Sequence, residues 1–109
     1  MSRRSKALWL PLALAACFIA GGAAAAVQKA SQKGRAFQPR EVTLAVGDQL
    51  TIANDDEFTH QVYIQSDVFN FDSGEQDPGK AATITFTRAG AFDVLCRIHP
   101  KMKLRVTVN

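Results

Sequence analysis

The chain is sparing with the residues that carry most protein chemistry. Its 109 residues include two cysteines, two methionines and two histidines. Residues 1–26 read as an export signal: Arg3, Arg4 and Lys6 form a basic head, Ala7 to Ala20 an apolar run, and Ala24-Ala25-Ala26 a small-residue cleavage site. The run is short for a membrane anchor. Leu14-Ala15-Ala16-Cys17 resembles a lipid-attachment box, but the residues after Cys17 stay apolar where a lipidated chain would start a polar tether. Arg3-Arg4 hints at twin-arginine export, although Lys6 stands where an apolar residue is expected.

Removing residues 1–26 takes away Met1 and Cys17, so Cys96 and Met102 are the only sulfur residues left. A single cysteine excludes an internal disulfide and any multi-cysteine zinc site. No excess charge remains either. The 13 basic residues fall to 10, against 10 acidic ones, and the basic balance no longer argues for a nucleic-acid partner. Internal repeats and a catalytic glycine loop are also missing. What remains is one small domain of roughly 80 residues, for which a bound metal would be a useful stabiliser.

The apolar residues alternate in short runs. Val42, Leu44 and Val46 share one parity, followed by a turn at Gly47-Asp48, and Leu50 and Ile52 continue until Asn54-Asp55-Asp56 breaks the pattern. His60, Val62 and Ile64 share a parity, as do Ile84 and Phe86, then Phe92, Val94 and Cys96, then Val106 and Val108. Period two with turns between the runs predicts an all-β, Greek-key sandwich over residues 37–109, and residues 27–36 read as a flexible tail. Phe69-Asn70-Phe71 is a candidate short strand, while Asp72-Ser73-Gly74 and Asp77-Pro78-Gly79 read as turns. The acids Asp72, Glu75 and Asp77 lack the spacing of a calcium loop and read as solvated.

Against this sparse background, Cys96-Arg97-Ile98-His99-Pro100-Lys101-Met102 stands out. A thiol, an imidazole and a thioether follow at C-x₂-H-x₂-M spacing, with Pro100 stiffening the turn. Strand parity points Cys96 and the remaining histidine, His60, toward the core. Singly, each is an ordinary residue: a core thiol, a strand histidine, a loop histidine, a gap-filling methionine. Together, one thiolate, two imidazoles and a weak thioether suit a copper ion that alternates between two oxidation states, with His60, Cys96, His99 and Met102 as its ligands. Structural zinc takes thioether poorly as a fourth donor. A Cys–His nucleophile would need an orienting group and a cleft, so no enzyme activity is expected.

At these residues the chain resembles the cupredoxins, nearest the plastocyanin and amicyanin group of small blue copper proteins. The resemblance runs from Phe37 to Asn109 and rests on Glu41 to Asp48, on Asn54-Asp55-Asp56 leading to His60, on Pro78-Gly79, Phe86 and Gly90-Ala91-Phe92, and on the loop Cys96 to Met102. It implies a monomeric, periplasmic or otherwise exported carrier of single electrons between redox proteins such as a cytochrome c or a dehydrogenase. A protein that handles or senses copper is the alternative. It also implies that His60 is the buried imidazole and His99 the exposed one.

Three positions depart from the family pattern. Gln61 follows the first histidine where asparagine is common, Arg97 follows the cysteine where a small hydroxyl residue is common, and Leu104 stands where glycine often follows the methionine. The first puts in question a side-chain tie between the two ligand loops, while leaving the Gln61 backbone N–H to donate to the Cys96 sulfur. Arg97, Lys101 and Lys103 flank His99, a basic rim that would steer an acidic partner.

Overall fold

The computed structural model describes residues 25–109, so residues 1–24 of the expected export signal lie outside the described residues. Nine strands follow one another among the described residues: β1 (Val27–Gln32), β2 (Phe37–Gln38), β3 (Glu41–Leu44), β4 (Gln49–Asn54), β5 (Val62–Ile64), β6 (Phe71–Asp72), β7 (Ala81–Thr85), β8 (Gly90–Cys96) and β9 (Lys103–Val108). They form two sheets, ordered β2-β1-β4-β7 and β3-β9-β8-β5-β6. β1 runs parallel to β4, and β3 parallel to β9, so the chain crosses between sheets rather than meandering. Among the described residues no helix is long and apolar enough to cross a membrane.

The alternation expected from the sequence fills the space between the sheets. Leu50 and Ile52 from β4 and Ile84 from β7 face Val62, Ile64, Val94, Val106 and Val108 from the other sheet, all buried. Phe86, fully buried, lies 5.3 Å from Phe69 and 6.1 Å from Phe92 between ring centroids. Leu104, the third departure, is fully buried too: its side chain extends the core where a glycine would contribute nothing.

Three expectations need correction. Residues 27–36 are not a free tail, because β1 pairs with β4 from Val27↔Gln49 to Gln32↔Asn54. The strand was hidden because its inward positions are Ala30 and Gln32, neither of which reads as a core residue. Val46 is half exposed, since the chain turns at Ala45–Asp48. Gly47 takes φ 97 there, and Asp48 caps the turn by accepting the Ala45 N–H. The short strand expected at Phe69–Phe71 is displaced to Phe71–Asp72.

Candidate metal centre

One end of the sandwich gathers three connections: β4 to β5, β6 to β7, and β8 to β9. Cys96 is the last residue of β8, paired with Val62 of β5, and 1% exposed. His60 lies just before β5 in an isolated bridge with Gln76, exchanging both backbone hydrogen bonds with it, and has no exposed surface. His99 arrives on the β8–β9 loop and is partly exposed. Met102 ends that loop, buried, its N–H donated to the His99 carbonyl.

These segments bring three donor atoms together. Cys96 Sγ is 3.6 Å from His60 Nδ1 and 3.8 Å from His99 Nδ1, and the two Nδ1 atoms are 3.0 Å apart. A point equidistant from all three lies about 2 Å from each, the reach of metal bonds to nitrogen and, a little longer, to sulfur. Met102 and His99 line one small apolar cavity with Ile98 and Pro100, which puts the thioether residue beside the cluster. The arrangement of His60, Cys96, His99 and Met102 thus resembles a type 1 copper site, and the donor set fits copper better than it fits zinc.

A buried polar frame, which hydrophobic patterning does not reveal, holds the His60 segment. Asn54 Nδ2 donates to the carbonyls of Phe58 and Gln76, each at 2.8 Å, while Asn54 Oδ1 accepts the Asp56 N–H at 2.9 Å. Gln76 Nε2 donates to the Ile52 carbonyl, and Gln32 Nε2 donates to Gln76 Oε1. The turn Asp77–Lys80 closes with Lys80 N–H on the Asp77 carbonyl, and Gly79 at φ 89 takes the position after Pro78 that a type II turn reserves for glycine. The Gly79 N–H then bonds the Asn54 carbonyl, so the expected turn is one more fastening for the frame.

Asp56 completes it. Its carboxylate lies 3.0 Å from His60 Nε2, is nearly buried, and accepts the N–H of Arg35 at 2.8 Å and that of Glu57 at 3.0 Å. An Nε2–H donated to a carboxylate leaves the Nδ1 lone pair facing Cys96 and His99. Burial works to raise the Asp56 pKa, but the Arg35 N–H, the His60 ring and the Glu57 and Gly34 N–H groups outweigh it and hold it at about 2. His99 titrates below its ordinary range because of burial first, then the charges of His60 and Arg35. The Arg35 guanidinium sits 4.0 Å over the Phe58 ring, whose edge meets His99.

Two of the departing positions, Gln61 and Arg97, meet on the outer face of the β8-β5-β6 sheet. Gln61 Nε2 donates to Asp72 Oδ1 at 2.8 Å, Arg97 Nε donates to Asp72 Oδ2 at 2.9 Å, and the Arg97 guanidinium lies 3.9 Å over the Tyr63 ring. Asp72, expected to be a solvated loop acid, is therefore a hydrogen-bonding centre. Gln61, the Gly74 N–H and Arg97 lower its pKa to about 2. Its folded pKa lies below the usual carboxylate value, so its contribution to stability is present above about pH 4 and disappears as pH falls toward about 2.

The chain is similar in sequence and fold to known proteins. A family model described as copper binding proteins of the plastocyanin/azurin family matches residues 23–109. The chain is 31% identical over 110 residues to a chloroplastic plastocyanin from Silene latifolia subsp. alba, covering 87% of this chain and 67% of that one. A reduced amicyanin variant superposes with a TM-score of 0.70 at 26% identity, over 76% of this chain and 82% of its own. A purple cupredoxin from Nitrosopumilus maritimus shares the fold at 20% identity and a TM-score of 0.69, over 75% of this chain and 99% of its own. A copper-containing nitrite reductase from Thermus scotoductus SA-01 has a TM-score of 0.69 at 25% identity, but the match covers 75% of this chain and only 22% of that one.

Proposed function

Because the chain belongs to the plastocyanin/azurin family of copper-binding proteins, we propose that it is a type 1 copper protein carrying single electrons between exported redox partners, with His60, Cys96, His99 and Met102 as ligands. The observation that carries this reading is the convergence of two imidazoles on one buried cysteine, next to a buried methionine. A copper ion held there supplies a one-electron couple. The chain's own residues do the rest. Strand β8 and the polar frame fix Cys96 and His60 before any metal arrives, so little need move when charge changes. Buried Met102, with Ile98 and Pro100 beside it, gives the site an apolar wall. Partly exposed His99 offers the shortest route from the centre to a partner.

Titrating the purified apoprotein with cupric ion tests this directly. An intense visible band at one equivalent, with a compressed copper hyperfine splitting in EPR, is the expected result. A colourless complex with an ordinary tetragonal signal would refute it. If the coloured protein exchanges electrons slowly with itself but yields its copper readily to a chelator, copper handling is the better description.

The surface beside His99 favours an acidic partner. A groove lined by Arg35, Arg40, Lys101, Lys103 and Arg105, with Glu41 as its one acid, shares Arg35, Lys101 and Met102 with the apolar cavity at His99. Arg105 is paired with Asp93, whereas the other four cations around the groove have no carboxylate partner among the described residues. Reduction of hexacyanoferrate(III) should therefore slow as salt is added, while reduction of tris(phenanthroline)cobalt(III) should quicken. The pair Lys101→Gln and Lys103→Gln should flatten both slopes. Salt dependence of the reverse sign would remove this partner assignment.

A further inference from the structure

Side chains from the two segments that carry His60 and Cys96 converge on one carboxylate that touches neither ligand. Gln61 directly follows His60 and Arg97 directly follows Cys96, and both side chains end on Asp72 of β6, one on each oxygen. Their backbones are joined as well, by the Arg97 N–H on the Gln61 carbonyl at 2.9 Å. The remaining backbone donor, the Gln61 N–H, points at Cys96 Sγ at 3.5 Å.

Asp72 is itself held in place. Tyr63 and Asp72 are partners in the β5–β6 register, the Gly74 N–H caps Asp72 Oδ1, and Ser73 bonds Val62 through both its N–H and its hydroxyl. Arg97 cannot swing away without leaving the Tyr63 ring. We propose that Asp72 is a positioning residue: by clasping Gln61 and Arg97 it locks the His60 and Cys96 segments together and keeps the Gln61 N–H on the cysteine sulfur.

The clasp answers the question raised by Gln61 and Arg97. Their side chains bond not each other but Asp72, on the neighbouring strand. A hydrogen bond donated to a thiolate withdraws electron density from it, which favours the reduced state of a bound metal. Loss of the clasp should therefore lower the reduction potential. Charge alone predicts otherwise, because Gln61→Ala removes no charge and Asp72→Ala removes a negative one, which by itself would raise the potential.

The inference takes the ligand assignment above as its premise, but its first test needs no metal. In the full-length apoprotein, amide hydrogen exchange is followed by NMR for wild type, Gln61→Ala and Asp72→Ala. Exchange at the Gln61 and Arg97 amides should accelerate about tenfold in both variants, equivalent to about 1.4 kcal/mol, with the β1–β4 amides unchanged. Unaltered exchange at Gln61 and Arg97 overturns the clasp. In the copper-loaded protein, Gln61→Ala should lower the potential and shift the sulfur-to-copper band, and Arg97→Lys, which keeps a cation against Asp72, should restore most of what Arg97→Ala loses. An unmoved potential and band in Gln61→Ala would reduce Asp72 to a merely structural role and overturn the positioning claim. Accelerated exchange in a protein that gives no coloured copper complex would support the clasp and refute the proposed function.

Discussion

Replacing Cys96 by serine should abolish the visible absorption of the copper-loaded protein while the sandwich stays folded. The colour depends on a thiolate bonded to the metal, and a hydroxyl oxygen supplies neither the soft donor nor the low-energy transition. The fold should survive because serine is close to cysteine in volume and the site is already polar. The Gln61 N–H and the two histidine rings surround the sulfur, so a buried hydroxyl there finds partners. We expect a loss of about 1 kcal/mol in apoprotein stability. The visible spectrum and urea denaturation, run on the same preparation, check both halves. A persistent blue colour would show that Cys96 is not the ligand, and an unfolded variant would show that the thiol is needed for packing.

The second large effect is expected at Asp56. Asp56→Ala strips the acceptor from His60 Nε2 and from the N–H groups of Arg35 and Glu57 in a nearly sealed environment. Leaving buried donors unpaired costs about 1–3 kcal/mol, and more where charge is involved. We therefore expect the apoprotein to lose about 2–4 kcal/mol, a large share of the stability of so small a domain. Copper affinity should also fall, by roughly 10–100-fold, because the ring is no longer held in the tautomer that offers Nδ1. Asp56→Asn, which keeps one acceptor oxygen, should lie between wild type and alanine. Denaturation of the apoprotein and competition for cuprous ion against a chelator measure the two effects separately. An alanine variant as stable and as tight-binding as wild type would leave Asp56 without the role assigned to it.

Much of this was legible in the sequence because period-two alternation is a direct image of a two-faced sheet. Leu50, Ile52, Val62, Ile64, Val94 and Cys96 all lie inward, as their parity requires. The convergence of His60, Cys96 and His99 could be anticipated for the same reason: two of them share the inward parity and the third sits in the loop between β8 and β9. What escaped was polar. β1 buries Ala30 and Gln32, and a buried glutamine is indistinguishable in sequence from an exposed one. Asn54 and Asp56 looked like an ordinary strand break, yet their side chains are turned inward to satisfy backbone groups near His60. Gln76 lies in a stretch with no periodicity at all. The link from Asp72 to Gln61 spans 11 residues and that to Arg97 spans 25, so only the folding of β6 against β5 reveals the meeting. A marker of the frame was present in Asp56, four residues before His60, but that spacing is informative only when both side chains are known to be buried.

Arg35 occupies an unusual position between the metal centre and the outside. Its backbone, at φ 56, gives its N–H to the carboxylate that grips His60, while its guanidinium lies over Phe58 at the rim where a partner would arrive. Under the function proposed above, one residue thus belongs to both equilibria, docking and oxidation state. Thermodynamic reciprocity then ties them together: whatever free energy an acidic surface gains by meeting one redox state of this protein rather than the other must reappear as a shift in reduction potential when the complex forms.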